Sequence, residues 1–319
     1  MLTKSVKKRG KPSAQSPGSG RNAMNPVLRD GDFAKLIKRL DALLDRVEGL
    51  LPVPPQAVDW QASIAFRWRK HNGRGHLQPV AHPHKIHLSD LKGVDRQKGL
   101  IEQNTRQFVA GKPANNVLLT GSRGTGKSSL VKACLNRFAR DGLRLIEVDK
   151  ADLIDLPDIA DLVTGRPERF IIFCDDLSFE ASEHAYKALK AILDGSIAAP
   201  AENLLVYATS NRRHLMPEYM QENLEYKHVD EEIHPGETSE EKISLSERFG
   251  LWVSFYPFDQ DDYIGIVEYW LGSFGCKPTA AARTEALQWS ISRGSRSGRI
   301  AYQFARDWSG RQAAKKHTR

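Results

Sequence analysis

The chain has 319 residues, of which 40% are hydrophobic and 27% charged, enough length and apolar content for one large or two modest soluble domains. No apolar run reaches the about 20 residues that cross a bilayer, and the N-terminus lacks the apolar core of a signal peptide, so we expect a cytoplasmic protein with no membrane partner. The three cysteines are far apart and odd in number, which favours free thiols over a disulfide framework.

The net charge of +8 is concentrated at the two ends of the chain. Residues 1–22 and 310–319 carry ten basic residues and no acidic one, which leaves 37 of the 47 basic residues against 39 acidic residues, a net of −2. We therefore expect no basic groove across the folded body, although basic tails can hold nucleic acid loosely.

The first 87 residues divide into a tail, a helix and an arm. Residues 1–27 are rich in Lys, Ser, Gly and Pro and are predicted to be a disordered basic tail. Apolar residues from Phe33 to Leu50 recur at spacings of three and four, which predicts an amphipathic helix that packs on its own domain. The alternative is a partner-binding helix. Residues 28–87 are assigned to this helix and an extended arm.

The arm combines aromatic and basic side chains in one short stretch. The residues concerned are Trp60, Phe66, Arg67, Trp68, Arg69 and Lys70. Such a mixture can stack on bases and neutralise phosphates of a nucleic acid, or it can anchor an extended segment on a domain surface. We favour the anchoring interpretation.

The most specific motif is a glycine-rich loop at residues 121–128, which matches the P-loop pattern G-x-x-x-x-G-K-[ST] at every fixed position. An apolar strand precedes the loop and a helical pattern follows it, which is the context that the motif requires. Lys127 is expected to reach the β- and γ-phosphates of a nucleotide, and the Ser128 hydroxyl to bind magnesium. The predicted nucleotide-binding residues of the loop are Gly121, Ser122, Arg123, Gly124, Thr125, Gly126, Lys127, Ser128 and Ser129.

A second apolar strand, 170–174, ends in two carboxylates, Asp175 and Asp176. Beside a P-loop, the first carboxylate is expected to hold magnesium through its water shell. The second is expected to orient or deprotonate the attacking water. The alternative is a pair of solvated aspartates at the end of a strand.

The remaining chain supplies two more strands and a helical end. An apolar strand at 204–208 leads into the polar stretch 209–211, where a side chain would lie between the aspartates and the γ-phosphate. Residues 216–247 hold ten acidic residues and two lysines, which predicts a solvated loop or helix edge. We assign 88–256 to a P-loop core, 257–310 to a helical lid and 311–319 to a second basic tail.

The order of these features resembles the AAA+ ATPases, and more closely an uncharacterised bacterial AAA+ family catalogued as a domain of unknown function. The resemblance covers residues 60–308 and includes the stretches 93–98, 113–119, 246–251 and 255–257. It implies an α/β fold in which a parallel five-stranded sheet has helices on both faces. A C-terminal helical lid, an N-terminal helical arm and ATP bound between sheet and lid complete the implied architecture.

The resemblance also implies roles for individual residues. Asn211 matches the residue that positions the hydrolytic water, and Arg248 matches the arginine finger that reaches a neighbour's γ-phosphate. Arg299, or alternatively Arg296, matches the arginine that acts from the lid.

Two further features of the resemblance concern the adenine base of the nucleotide and the rate of ATP turnover. Gly93 and Val94 match the segment that lies near adenine. The pair Asp175-Asp176 replaces the Asp-Glu of many members, and the shorter second side chain predicts slow turnover.

Together these features predict an ATP hydrolase that forms homo-oligomers, uses ATP and magnesium, and switches or remodels a macromolecular partner. One alternative is an ATP-switched loader that associates with nucleic acid through the basic tails. A lower alternative is a P-loop small-molecule kinase, which would need an acceptor site and no arginine from a neighbour. A GTPase is disfavoured because the Asn/Thr-Lys-x-Asp signature is absent.

Overall fold

The computed structural model describes residues 30–50, 58–71, 73–177, 184–194, 201–211, 227–229, 232–234 and 247–317. The predicted basic tail 1–27 and most of the acidic segment 216–247 lie outside the described residues. The chain separates into two compact units, Met1–Gln56 and Ala57–Arg319.

The described part of the first unit is helix α1 (Asp30–Leu50), at the place where the apolar spacing predicts a helix. Five apolar side chains of its predicted buried face are 44–58% exposed: Leu36, Ile37, Leu40, Leu43 and Leu44. The packing of this face on its own domain therefore stays a prediction.

The second unit is built around a seven-stranded sheet in the order β2-β1-β4-β5-β6-β3-β9. All neighbouring strands are parallel except β1 and β2. Two short strands, β7 (Lys227–Val229) and β8 (Glu232–His234), form a separate antiparallel ladder. The sheet strands are β1 (Ala65–His71), β2 (Arg74–Pro79), β3 (Val117–Gly121), β4 (Leu143–Glu147), β5 (Arg169–Cys174), β6 (Leu204–Ser210) and β9 (Leu251–Phe255).

The predicted fold class is confirmed, with one correction to the sheet. The five predicted parallel strands are β9, β3, β6, β5 and β4, and residues 65–79 add a hairpin beyond β4. This stretch is therefore not an extended arm. Phe66 and Trp68 are 0% and 3% exposed, because alternate residues of a strand with one buried face point into the core.

The strands bury one core on each face of the sheet. Val117 and Leu119 face a core that includes α2 (Asp95–Val109) and α3 (Lys127–Phe138). Leu118, between them, faces a core that includes α4 (Leu156–Val163) and α5 (His184–Asp194). Helices therefore lie on both faces of the sheet, as predicted. Because the strands from β1 to β9 in the order of the sheet run parallel, their carboxyl ends meet at one edge of the sheet.

Three helices follow the sheet and form the predicted lid: α6 (Gln260–Ser273), α7 (Ala280–Ser292) and α8 (Gly298–His317). The side chain of Asp259 caps α6 by accepting from the N–H of Asp262, 2.7 Å away. The last helix continues past residue 310, so most of the stretch predicted as a C-terminal tail is helical. No helix among the described residues has the length and apolar character to cross a membrane.

Candidate nucleotide-binding site

A cavity of about 820 Å³ lies at the carboxyl edge of the sheet, a volume typical of small-molecule sites. The core contributes residues 123–129 of the P-loop and the polar residues that follow β5 and β6, and the lid contributes residues of α6 and α8. The residues that line the cavity include Asp90, Lys92, Val94, Arg123, Gly124, Lys127, Ser128, Asp175, Asp176, Thr209, Asn211, Trp270, Gly298, Arg299 and Tyr302.

The P-loop begins at a position where only glycine fits. Gly121 has a φ of +123°, and a Cβ atom added there would lie 1.9 Å from the carbonyl oxygen of Phe255 in the neighbouring strand β9. Farther along the loop, the Thr125 hydroxyl donates to the Ser122 carbonyl over 2.8 Å. Residues 123–129 of this loop line the cavity, whereas Gly121 and Ser122, also predicted to bind nucleotide, are not among the described lining residues.

Lys127 is buried at the base of the cavity, with 6% of its surface exposed. Its ammonium donates to the carbonyls of Gly121 and Ser122 at 2.8 and 2.9 Å, and to Oδ1 of Asn211 at 3.0 Å. Burial lowers the pKa of Lys127, an effect opposed by the charges of the two aspartates. A buried cation beside a glycine loop attracts an anion strongly, because little water screens it.

Asp175 accepts hydrogen bonds from the P-loop helix and from the end of β6. The Ser128 hydroxyl donates to Asp175 Oδ1 at 2.5 Å, and the Thr209 hydroxyl donates to the same oxygen at 2.6 Å. A serine hydroxyl and a carboxylate therefore lie side by side in the cavity. Both are oxygen ligands of the kind that magnesium prefers.

Asp176 has a left-handed backbone, with a φ of +53°, and is the one non-glycine residue with a positive φ among the described residues. Its N–H donates to Thr209 Oγ1 over 2.9 Å, and its carboxylate accepts from Asn211 Nδ2 over 2.5 Å. Arg123 Nη2 lies 4.0 Å from the other carboxylate oxygen. These contacts hold the second carboxylate toward the cavity, and aspartate is one of the few residues that tolerate this backbone conformation.

The lid meets the P-loop through the start of α8. The N–H of Gly298 donates to the carbonyl of Gly124 over 2.9 Å, and a Cβ atom on Gly124 would lie 2.8 Å from Ser297 Oγ. Arg299 follows directly and lines the cavity, whereas Arg296 is not among the described lining residues. Of the two candidate lid arginines, the structure therefore brings Arg299 to the site.

Arg248 lies away from the residues that line the cavity. Its Nε contacts both carboxylate oxygens of Asp194, at 2.6 and 2.7 Å, at the end of α5. Phe249, the next residue, is buried in the core that contains α4 and α5.

Part of the cavity lining is apolar. Val94 lines the cavity together with Leu91 and Ile266. Gly93 is not among the described lining residues, and a Cβ atom added to it would be 3.0 Å from the ring of Phe258, which does line the cavity. Trp270 and Tyr302 of the lid also line the cavity, and their ring centroids lie 4.9 Å apart in an edge-to-face arrangement.

Sequence reasoning missed several residues of this site. Within the polar stretch 209–211 only Asn211 has a predicted role, whereas Thr209 contacts both aspartates. Its position at the end of the strand beside the two carboxylates was a usable signal. Trp270 and Tyr302 reach the cavity from the lid, and Asp90 and Lys92 reach it from the segment before α2. These contributions depend on how distant segments pack, for which no local pattern exists.

The aromatic and basic residues before the P-loop do not form a nucleic-acid site. Trp60, Phe66 and Trp68 are buried, and Trp68 Nε1 donates to Asp155 over 2.8 Å. The cations beside them are paired with acids, including Arg67 with Glu147 at 2.6 Å. A buried ring has no free face for a base, so the stacking interpretation is wrong for these three residues.

The sheet and the site together define a protein of the AAA+ class. The parallel strands follow the order β9-β3-β6-β5-β4, with a P-loop after β3, paired acids after β5, polar side chains after β6 and a helical lid. The chain belongs to the family described as "Protein of unknown function (DUF815)", which matches residues 61–312. No curated protein matches the sequence.

Solved structures resemble the chain at low identity. The Thermotoga maritima RuvB Holliday junction branch migration motor is 18% identical, with a TM-score of 0.45, over 70% of this chain and 64% of that one, less than two thirds of its length. The FIGL-1 AAA domain in complex with ADP is 18% identical, with a TM-score of 0.48, over 71% of this chain and 73% of that one.

The replication initiator DnaA bound to AMPPCP and single-stranded DNA is 15% identical, with a TM-score of 0.49, over 72% of this chain and 69% of that one. With identities of 15–18% and TM-scores of 0.45–0.49, these likenesses carry no conclusion about activity or partners.

Proposed function

We propose that the chain is an ATP hydrolase that binds Mg-ATP in the cavity between sheet and lid and uses hydrolysis to switch or remodel a macromolecular partner. One observation carries the proposal: Lys127, the Ser128–Asp175 pair and the Asp176–Asn211 pair converge on one cavity. The charges and donors needed to bind a triphosphate and to activate a water are then within reach of one ligand.

In this proposal the P-loop and the lid share the phosphates. Successive N–H groups of residues 123–129 face the phosphate oxygens, and Lys127 neutralises the β- and γ-phosphates. Arg299 approaches from the start of α8, whose backbone is bonded to the P-loop at Gly124. The adenine base of the nucleotide binds against Val94 and the other apolar residues of the lining.

The donor set next to Lys127 fits magnesium. Ser128 and Asp175 present two oxygen atoms in contact with each other, and Thr209 fixes the Asp175 carboxylate. Bound there, magnesium would neutralise charge on the β- and γ-phosphate oxygens.

Asp176 is the proposed base for the attacking water, and Asn211 is the proposed positioning residue. The Asn211 amide donates to Asp176 while its carbonyl oxygen accepts from Lys127, so it links the base to the phosphate-binding cation. The aspartate side chain is one methylene shorter than glutamate, which supports a slow hydrolase.

Arg248 supports a homo-oligomer in which a neighbouring subunit completes each site. It lies outside the lining of its own cavity, while phosphoryl transfer benefits from a guanidinium at the γ-phosphate. The nucleic-acid loader remains the second candidate, and only the basic tails favour it now that the aromatic residues at 60–68 are buried.

The test is the ATPase activity of the purified protein, with and without DNA, together with its molar mass in ADP and in a non-hydrolysable ATP analogue. We expect magnesium-dependent hydrolysis and a larger assembly in the analogue than in ADP. A protein that neither binds nor hydrolyses ATP would refute the proposal, and strong stimulation by DNA would favour the loader.

A further inference from the structure

The lid is attached to the segment before α2 through Tyr269 of α6. The Tyr269 hydroxyl donates to Asp90 Oδ1 over 2.5 Å, and Lys92 Nζ lies 4.5 Å from the centre of the Tyr269 ring. Hydroxyl and ring face are therefore both engaged by residues of one short segment. Tyr269 and Asp90 are 179 positions apart in the sequence.

Asp90 is fixed by its own segment before it meets the lid. Its Oδ2 accepts from the N–H of His87 over 2.8 Å, which closes the short 3-10 helix Leu88–Asp90. Burial, and then the bond to Asp90, raise the pKa of Tyr269. The hydroxyl therefore stays protonated at neutral pH and remains a donor to a charged acceptor, which is the stronger kind of hydrogen bond.

This attachment lies at the wall of the candidate nucleotide site. Asp90 and Lys92 line the cavity from the core, and Trp270, the residue after Tyr269, lines it from the lid. Trp270 packs edge to face on Tyr302 of α8, the helix that also carries Arg299. A lid that swings away would separate Trp270 and Arg299 from the rest of the cavity.

The attachment is distinct from the contact between lid and P-loop. That second contact joins the Gly298 N–H to the Gly124 carbonyl, and it is made of backbone atoms. The contact at Tyr269 is made of side chains, so a single hydroxyl can be removed without a change in the P-loop.

We propose that Tyr269, Asp90 and Lys92 form a lid latch that must open before nucleotide leaves, so that the latch sets the rate of nucleotide release. The inference rests on the proposed binding of nucleotide in this cavity. Opening breaks a charge-assisted hydrogen bond and a cation–π contact, and lid opening limits release in many enzymes that close over their ligand.

The experiment compares two substitutions of the same kind on the same helix. Tyr269→Phe removes only the latch hydroxyl. Tyr263→Phe removes a hydroxyl that donates to the Ala286 carbonyl over 3.1 Å, a bond that stays within the lid. The probe is the dissociation of a fluorescent N-methylanthraniloyl ADP, chased with excess ADP, from the full chain.

We expect release from Tyr269→Phe to be about tenfold faster, the effect of losing one hydrogen bond to a charged group. Tyr263→Phe should release the probe at the wild-type rate even though its lid is less stable. Equal rates in wild type and Tyr269→Phe would overturn the latch. A wild-type protein that does not bind the probe would instead overturn the proposed nucleotide site, and with it the claim about release.

A structural readout and a cycle of variants complete the test. Hydrogen exchange of the nucleotide-free protein should show faster exchange in residues 86–92 and 266–273 for Tyr269→Phe and not for Tyr263→Phe. Asp90→Ala also removes the bond from the His87 N–H. Combined with Tyr269→Phe, it should accelerate release by less than the product of the two single effects, because both substitutions remove the Tyr269–Asp90 bond. If the double variant accelerated release by the full product of the two single effects, the result would contradict the latch.

Discussion

Two edges of the same sheet use charged residues for different purposes. At the hairpin edge, formed by β1 and β2, Arg67 and Arg69 of β1 pair with Glu147 and Asp149 respectively. Glu147 is the last residue of β4, and Asp149 lies two residues beyond it. At the carboxyl edge, Asp175 accepts from neutral hydroxyls and lies open to a cavity. The paired charges of the hairpin edge serve the fold, whereas a carboxylate held by neutral donors beside a cavity is available to a ligand.

This difference predicts that function and stability separate along the sheet. Substitutions at the carboxyl edge should abolish chemistry and leave the fold nearly unchanged. Substitutions at the hairpin edge should weaken the fold and leave chemistry intact in the molecules that remain folded.

The largest functional effect is expected at Arg248. Loss of a guanidinium that reaches a neighbour's γ-phosphate lowers the hydrolysis rate by about 10³–10⁵-fold, so Arg248→Ala should be nearly inactive. Mixed with Lys127→Ala, which keeps Arg248 but lacks the phosphate-binding cation, it should regain part of the wild-type rate, provided that subunits exchange. Wild-type hydrolysis by Arg248→Ala alone, under assembling conditions, would show that its pairing with Asp194 is only structural.

The next effect is expected at Asp176. Asp176→Asn tolerates the positive φ at this position and keeps a side chain that can hydrogen-bond, but it removes the base. Hydrolysis should fall by about a hundredfold or more while ATP still binds. The matched control is Asp161→Asn on the exposed side of α4, which should hydrolyse ATP normally. Normal turnover by Asp176→Asn would remove Asp176 from the mechanism.

The two edges were also unequally visible in the sequence. The P-loop has a fixed spacing tied to one backbone shape, so its place after β3 and opposite Asp175 followed directly. The composition of the stretch with Phe66 and Trp68 favours an extended arm, whereas its alternation with Arg67 and Arg69 has the period of a strand. Contacts such as Tyr269 with Asp90 join distant segments, and nothing local in either segment indicates them.

The hairpin edge gives the largest expected effect on stability. Phe66 is fully buried, so Phe66→Ala should lower the free energy of unfolding by about 3–5 kcal/mol, from the lost burial and the cavity left behind. Phe66→Leu keeps most of the volume and should cost less than about 1.5 kcal/mol. Urea denaturation measures both variants, and their KM for ATP should match the wild type at temperatures where they are folded. A specific loss of ATP affinity at unchanged stability would contradict the separation of the two edges.

The smallest effect is expected for an ion pair on the same edge. Arg69 and Asp149 lie 2.9 Å apart with 43% and 63% of their side chains exposed, so solvent screens the pair. A double-mutant cycle with Arg69→Ala and Asp149→Ala should give a coupling of about 0.2–1 kcal/mol. A coupling several times larger would mean that this edge is held by electrostatics rather than by the burial of Phe66 and Trp68.

The most direct test of the nucleotide site is the affinity for ATP of Lys127→Ala, measured by calorimetry beside wild type and Lys132→Ala. Lys132 lies on the same helix, five residues further along and outside the residues that line the cavity. Wild type and Lys132→Ala should bind Mg-ATP alike, and Lys127→Ala should bind it far more weakly, because the buried triphosphate loses its main cation. Equal affinity in all three proteins would contradict the assignment of this cavity as the ATP site.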